Sequence, residues 1–160
     1  MRQHPAPHRS SGFTLIEMIV AITLLAIPLY SNLTLTYLFG AMGLGGTVVL
    51  MGKFDAGRYL TLASQHRATH SVLVPVQFRR LMDHPDFERT DLSTLRHRFC
   101  AGAPFVPGLK AEVLRRWPGE LTEYYGLTEG GGRTELQAHL HPDKLHTVGR
   151  VSAGNDIRLI

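Results

Sequence analysis

The order of apolar runs in this 160-residue chain predicts an α/β fold, a parallel βαβ sheet fragment preceded by a short apolar N-terminal helix. Two observations carry the sheet. Short apolar or β-branched runs begin near residues 47, 70, 96 and 120, about every 25 residues. Between each successive pair lies a segment with helical spacing, the rhythm of a parallel sheet covered on both faces. A third observation is compositional: 44% hydrophobic and 19% charged residues suit a folded globular segment rather than disorder.

Residues 1–12, MRQHPAPHRSSG, are polar and carry Arg2, Arg9 and two prolines, so they read as a leader. Residues 13–27 follow as fifteen positions with one charge, Glu17, and predict the apolar helix. That run is shorter than the roughly 20 residues a spanning helix needs. The small residue Gly12 precedes it, the reverse of an ordinary secretory signal. Pro28 interrupts the helix. Residues 33–46 have helical spacing with small residues for close packing, and TVVLM at 47–51 is continuous enough for a buried strand. Asp55 is placed to cap a helix over 55–67. HSVLV at 70–74 is the next strand, and Pro75 suits the first turn of the helix after it. RHRFCAG at 96–102 is a third strand, 107–117 a helix, and ELTEYYG at 120–126 a fourth strand.

Charge and cysteine usage narrow the function. The net charge of +4 comes from scattered arginines (Arg79 with Arg80, Arg96 with Arg98, Arg115 with Arg116) without interleaved aromatics, so a nucleic-acid partner is not expected. Cys100 is the single cysteine, which excludes an internal disulfide and fits a reducing compartment. Its apolar surroundings predict a small core side chain rather than a nucleophile. His139, His141 and His146 in HLHPDKLH have spacing that zinc can use, but no completing carboxylate or thiol, and read as solvated loop histidines.

Parallel sheets collect ligands in loops at the carboxyl ends of their strands. Two loops qualify: AGAP at 101–104 and GLTEGGGR at 126–133. In the second, Tyr125 offers a flat ring, Gly126 admits close backbone approach, Thr128 supplies a hydroxyl and Glu129 an oxygen suited to a hard cation. By residue type alone, Glu129 equally suits a surface carboxylate and the glycines at 130–132 a flexible turn.

Two resemblances sharpen this reading. YYGLTEGGG resembles the YG-x-TE motif of the AMP-forming adenylating superfamily, which holds acyl-CoA synthetases, luciferases and adenylation domains. The likeness continues in order through PLYSNLTL, GAMGLGGTVVL, ATHSVLVPVQFRRLM, LSTLRHRFCAGAPF and HTVGRVSAGNDIRLI, and covers residues 28–160. It implies that Tyr125 stacks on adenine, that Thr128 holds ATP phosphate oxygens and that Glu129 coordinates Mg²⁺. It further implies that Gly102, Ala103 and Pro104 line the adenine and acyl pocket with Gly126 at its wall. Cofactors and partners so implied are ATP/AMP, Mg²⁺, CoA and a carboxylic (fatty) acid, in a cytoplasmic ligase. GFTLIE resembles the type IV prepilin cleavage-and-methylation motif, implying processing between Gly12 and Phe13, with Glu17 as the paired carboxylate. That resemblance covers residues 1–27 and implies inner-membrane association through 13–27 if the leader is used.

The departures set further expectations. The adenylating family's upstream phosphate loop, ribose-binding Asp and lid Lys do not occur in this sequence, Ser31 stands where that family has His, and Val151 where it has Pro. No adenylating activity is expected from this chain alone, and unpaired sheet edges predict an aggregation-prone product. The competing readings are a pilin-like exported subunit, or a fusion or gene-prediction artefact joining residues 1–27 to 28–160.

Overall fold

A computed structural model of the protein describes residues 22–26, 31–127 and 132–158. Gly12, Phe13, Glu17, Thr128 and Glu129 lie outside the described residues.

Seven strands form one sheet: β1 (Ile22–Leu25), β2 (Thr47–Leu50), β3 (His70–Leu73), β4 (His97–Cys100), β5 (Glu120–Gly126), β6 (Arg133–Gln137) and β7 (Arg150–Val151). Their spatial order is β2-β1-β3-β4-β5-β6-β7. The first five run parallel, in register Thr23↔His70↔His97↔Glu120, while β6 and β7 are antiparallel. Among the described residues four α-helices connect the first five: α1 (Asn32–Gly43), α2 (Ala56–Gln65), α3 (Pro75–Met82) and α4 (Pro107–Arg116). The predicted α/β class and parallel core are present.

Strand order explains the layering. The chain steps one way from β1 to β2, then back past β1 to β3 and onward. Right-handed crossovers in opposite directions put their helices on opposite faces. Accordingly α1 packs Leu33, Tyr37 and Leu38 on one face, with Leu25 and Val72. Helices α2, α3 and α4 cover the other, where Leu24, Leu73, Cys100 and Leu121 meet Tyr59, Phe78, Val113 and Trp117. Neighbouring residues such as Leu24 and Leu25 alternate between the two cores, as the strand period of two requires.

Local chemistry fixes the elements. Asp55 Oδ1 accepts from the Arg58 N–H at 2.8 Å and caps α2 as predicted. Gln77 in α3 accepts from the Val74 N–H (2.9 Å) and donates to the Ala26 carbonyl (2.7 Å), tying the end of β1 to that of β3. Arg98 is fully buried in β4, and its guanidinium donates to the Val113 carbonyl at the end of α4 and to Gly119. Gly119 has φ +84°, and a Cβ there would overlap the Leu95 and Arg96 carbonyls, so only glycine makes this turn.

Three expectations need correction. Residues 22–25, read as part of an apolar helix, are a strand paired on both sides, because a continuous apolar run buried on both faces has no diagnostic period. Strand β2 is an edge strand with Thr47 and Leu50 exposed, not a buried one, since it pairs only with β1. Strands β6 and β7 extend the sheet beyond the four anticipated strands. Cys100 is a buried core thiol, its pKa pushed up by that burial. Among the described residues no helix is long and apolar enough to cross a membrane.

Candidate functional site

The carboxyl ends of β4 and β5 lie side by side, so the two loops that follow converge. After β4 the chain turns at Gly102 with φ +86°, a conformation that favours glycine, and runs exposed through Ala103 and Pro104. At the end of β5, Tyr125 is 55% exposed and Gly126 is open. These five residues line one cleft of about 460 Å³, closed on its far side by His146, Thr147 and Val148. The structure thus brings together Gly102, Ala103, Pro104, Tyr125 and Gly126. A flat exposed ring facing backbone that carries little side chain makes a slot for a planar heterocycle.

Beneath the cleft lies a pair that sequence reasoning missed. Lys110 of α4 is 2% exposed and Glu123 of β5 is 4% exposed, and the two form an ion pair. The Lys110 ammonium also donates to the Thr147 carbonyl at 2.8 Å and lies 5.8 Å from the centre of the Phe105 ring. Burial pushes the Glu123 carboxyl up, against the opposing pull of Lys110. One lysine therefore ties α4, β5 and the segment before β7 into a common floor. The available signal was a charge at a helical position flanked by core residues Leu109 and Val113.

A second cleft of about 450 Å³ opens on the α1 face. Gly102, Tyr124 and Gly126 line both clefts, so the two share a wall. Its other boundaries include Ser31, Asn32 and Tyr37 of the α1 segment, Val74, Tyr124 and Arg133. The Tyr37 and Tyr124 hydroxyls are hydrogen-bonded, and burial pushes both up. The Arg133 guanidinium lies 4.7 Å from the centre of the Tyr124 ring.

The predicted histidine tract behaves differently from expectation. His139 is part-buried, not solvated: its Nδ1 is 3.1 Å from the Leu121 carbonyl and its Nε2 is 3.4 Å from Glu120 Oε2. The same Glu120 oxygen lies 3.1 Å from His97 Nδ1, and His97 stacks on His70 at 5.1 Å. These groups sit at the amino ends of β3, β4 and β5, away from both clefts. His141 and His146 are exposed. Among the described residues no group of three or more His, Cys, Asp or Glu is arranged to hold a metal ion.

Comparisons with known proteins find relatives in sequence and in fold. Feruloyl-CoA synthase of an Amycolatopsis species is 34% identical over 116 residues, covering 72% of this chain and 23% of the relative. The amide bond synthetase McbA of Marinactinospora thermotolerans superimposes with TM-score 0.74 at 34% identity, over 82% of this chain and 27% of that one. The N-terminal domain of FACL13 from Mycobacterium tuberculosis superimposes with TM-score 0.71 at 29% identity, over 82% and 33%. The chain spans about a quarter of the length of the curated relatives it matches. The profile of the family described as AMP-binding enzyme matches residues 9–160, and the chain belongs to that family.

Proposed function

We propose that this chain supplies the nucleotide-binding portion of an ATP-dependent carboxylate–CoA ligase. In the parent reaction a carboxylate oxygen attacks the α-phosphorus of ATP and expels pyrophosphate, leaving an acyl-adenylate. The CoA sulfur then attacks the acyl carbon and AMP departs. The reading rests on one observation: the AGAP loop and the Tyr125–Gly126 strand end, distant in sequence, form one cleft. Tyr125 stacks on adenine there, with Gly102, Ala103 and Pro104 opposite and Gly126 at the wall. The exposed ring and the glycine turn at the cleft support this reading. Thr128 is assigned to the phosphate oxygens and Glu129 to Mg²⁺, which when bound would neutralise phosphate charge.

Binding is separable from turnover. AMP should bind the isolated chain, because both loops assigned to adenine line the one cleft. ATP–pyrophosphate exchange with a panel of acids should be absent, because the family's phosphate loop, ribose-binding Asp and lid Lys are not in this sequence. Calorimetric titration of AMP tests the cleft directly. Losing a base–aromatic stack costs about 1–3 kcal/mol, so Tyr125→Ala should weaken AMP at least about fivefold. Equal affinity for the two proteins would remove Tyr125 from the site, and robust exchange would overturn the division between binding and turnover.

A further inference from the structure

We infer that Lys110 is a positioning residue of the first cleft: its ammonium holds the Thr147–Val148 wall to the strand end that carries Tyr125, and nucleotide affinity depends on that tether. The inference rests on the ligase reading for the identity of the ligand. Three segments build the cleft: residues 102–106, the end of β5 and residues 146–148. Lys110 reaches all three. Its ammonium pairs with Glu123, donates to the Thr147 carbonyl at 2.8 Å and lies 5.8 Å from the centre of the Phe105 ring. Glu123 precedes Tyr125 by two residues on β5, so both side chains leave the same face of the strand. Pairing with Glu123 therefore anchors the ammonium under the ring that faces the ligand.

Stability alone does not account for this pair. A buried ion pair can often be replaced by apolar side chains of similar volume at no cost. What sets this one apart is its third partner. Residues 146–149 join a short 3₁₀ turn (Pro142–Lys144) to the two-residue strand β7. The Thr147 N–H and hydroxyl both turn back to the Lys144 carbonyl, each at 2.9 Å, local bonds that shape the turn without placing it. On the β6 side the Thr134 hydroxyl donates to the Val148 carbonyl at 2.8 Å. Towards α4 and β5, across the cleft, the wall is held by the Lys110 bond. A cation donating to a carbonyl makes a stronger bond than a neutral donor does. With Lys110 buried, water does not compete for it.

The test compares the whole chain unaltered with Lys110→Met/Glu123→Leu and with Glu123→Gln, by amide hydrogen exchange and by calorimetric titration of AMP. In the unaltered chain AMP should slow exchange at residues 142–149 as well as at 120–126. The double variant has no buried charge left to solvate, so it keeps its global stability but lacks the tether. Its exchange at 142–149 should rise about tenfold with β3 and β4 unchanged, and AMP should bind about fivefold to tenfold more weakly, the scale of one charge-assisted hydrogen bond. Glu123→Gln keeps the ammonium on Thr147 while removing its counter-charge. It should be the less stable of the two variants and yet protect 142–149 better, an order that a merely structural pair cannot give. Unchanged exchange at 142–149 in the double variant overturns the inference, and so does unchanged AMP affinity. AMP that binds the unaltered chain without protecting 142–149 overturns it whether or not the variants fold. If AMP does not bind the unaltered chain, the nucleotide reading falls. Faster exchange at 142–149 in the double variant then still upholds the tether, and unchanged exchange defeats both.

Discussion

Replacing Lys110 with methionine should destabilise the protein in a way that depends on pH, with a sign the structure dictates. Lys110 and Glu123 are 2% and 4% exposed, so removing the ammonium leaves a carboxylate in the interior without its counter-charge. Breaking a buried pair from one side costs about 3–5 kcal/mol when the remaining partner stays ionised. Glu123 has a way out, because burial already pushes its carboxyl up and loss of Lys110 pushes it further. The folded carboxyl then holds its proton more tightly than the unfolded one. Stability is fully present below the unfolded carboxyl range and is lost as pH rises through the folded pKa, at up to about 1.4 kcal/mol per pH unit. At pH 5 the variant should lose only the hydrogen bond to Thr147 and some packing on Phe105, about 1–2 kcal/mol. At pH 8 the loss should approach the full 3–5 kcal/mol. Urea unfolding followed by the fluorescence of Trp117, the single tryptophan and a core residue, reads both values. The double variant Lys110→Met with Glu123→Leu should return to within about 1 kcal/mol of the parent at either pH, since no charge remains to be solvated. An equal loss at pH 5 and pH 8, or a double variant as unstable as the single one, would refute this account.

Four further outcomes follow from other parts of the fold. Burial first, then the charges of His97 and Arg96, lower the His70 pKa to about 4, and burial lowers that of His97 against the pull of Glu120. For His70 the unfolded ring takes up its proton first as pH falls, so its share of stability is present above about pH 6.5 and lost towards pH 4. Discounted for the part-exposed ring, that share is about 1–2 kcal/mol. Urea midpoints between pH 7 and pH 4.5 should fall less steeply in His70→Phe than in the parent. Gly149 has φ +80°, and a Cβ there would overlap the Glu135 carbonyl, so Gly149→Ala should cost more than about 2 kcal/mol and raise amide exchange across β6 and β7. Gly154→Ala, at φ +81° with open space around it, should cost only about 1 kcal/mol. On α1, Phe39 and Met42 are 65% and 59% exposed, so Phe39→Ser with Met42→Lys should leave the unfolding midpoint nearly unchanged while reducing self-association in sedimentation velocity.

What the sequence disclosed and what it hid divide along a physical line. Helices α2, α3 and α4 were legible because each has a local signature: Asp55 at a cap, Pro75 and Pro107 at first turns, and one apolar face. The convergence of Gly102, Ala103 and Pro104 with Tyr125 and Gly126 was legible because adjacent parallel strands put consecutive loops at one edge. What stayed hidden depends on partners. Residues 22–25 are apolar on both sides in either a helix or a central strand, and only pairing with both β2 and β3 makes them a strand. The edge position of β2 follows from a reversal of strand order that no local run of TVVL encodes. Lys110 and Glu123 look like ordinary surface charges until α4 is laid on β5, and Arg133 looks like a turn residue until β6 folds back antiparallel and sets it opposite Gly126. Each of these residues is chemically meaningful only as half of a contact. That is why the second cleft, built from α1, β5 and β6 together, could not be composed from any single motif.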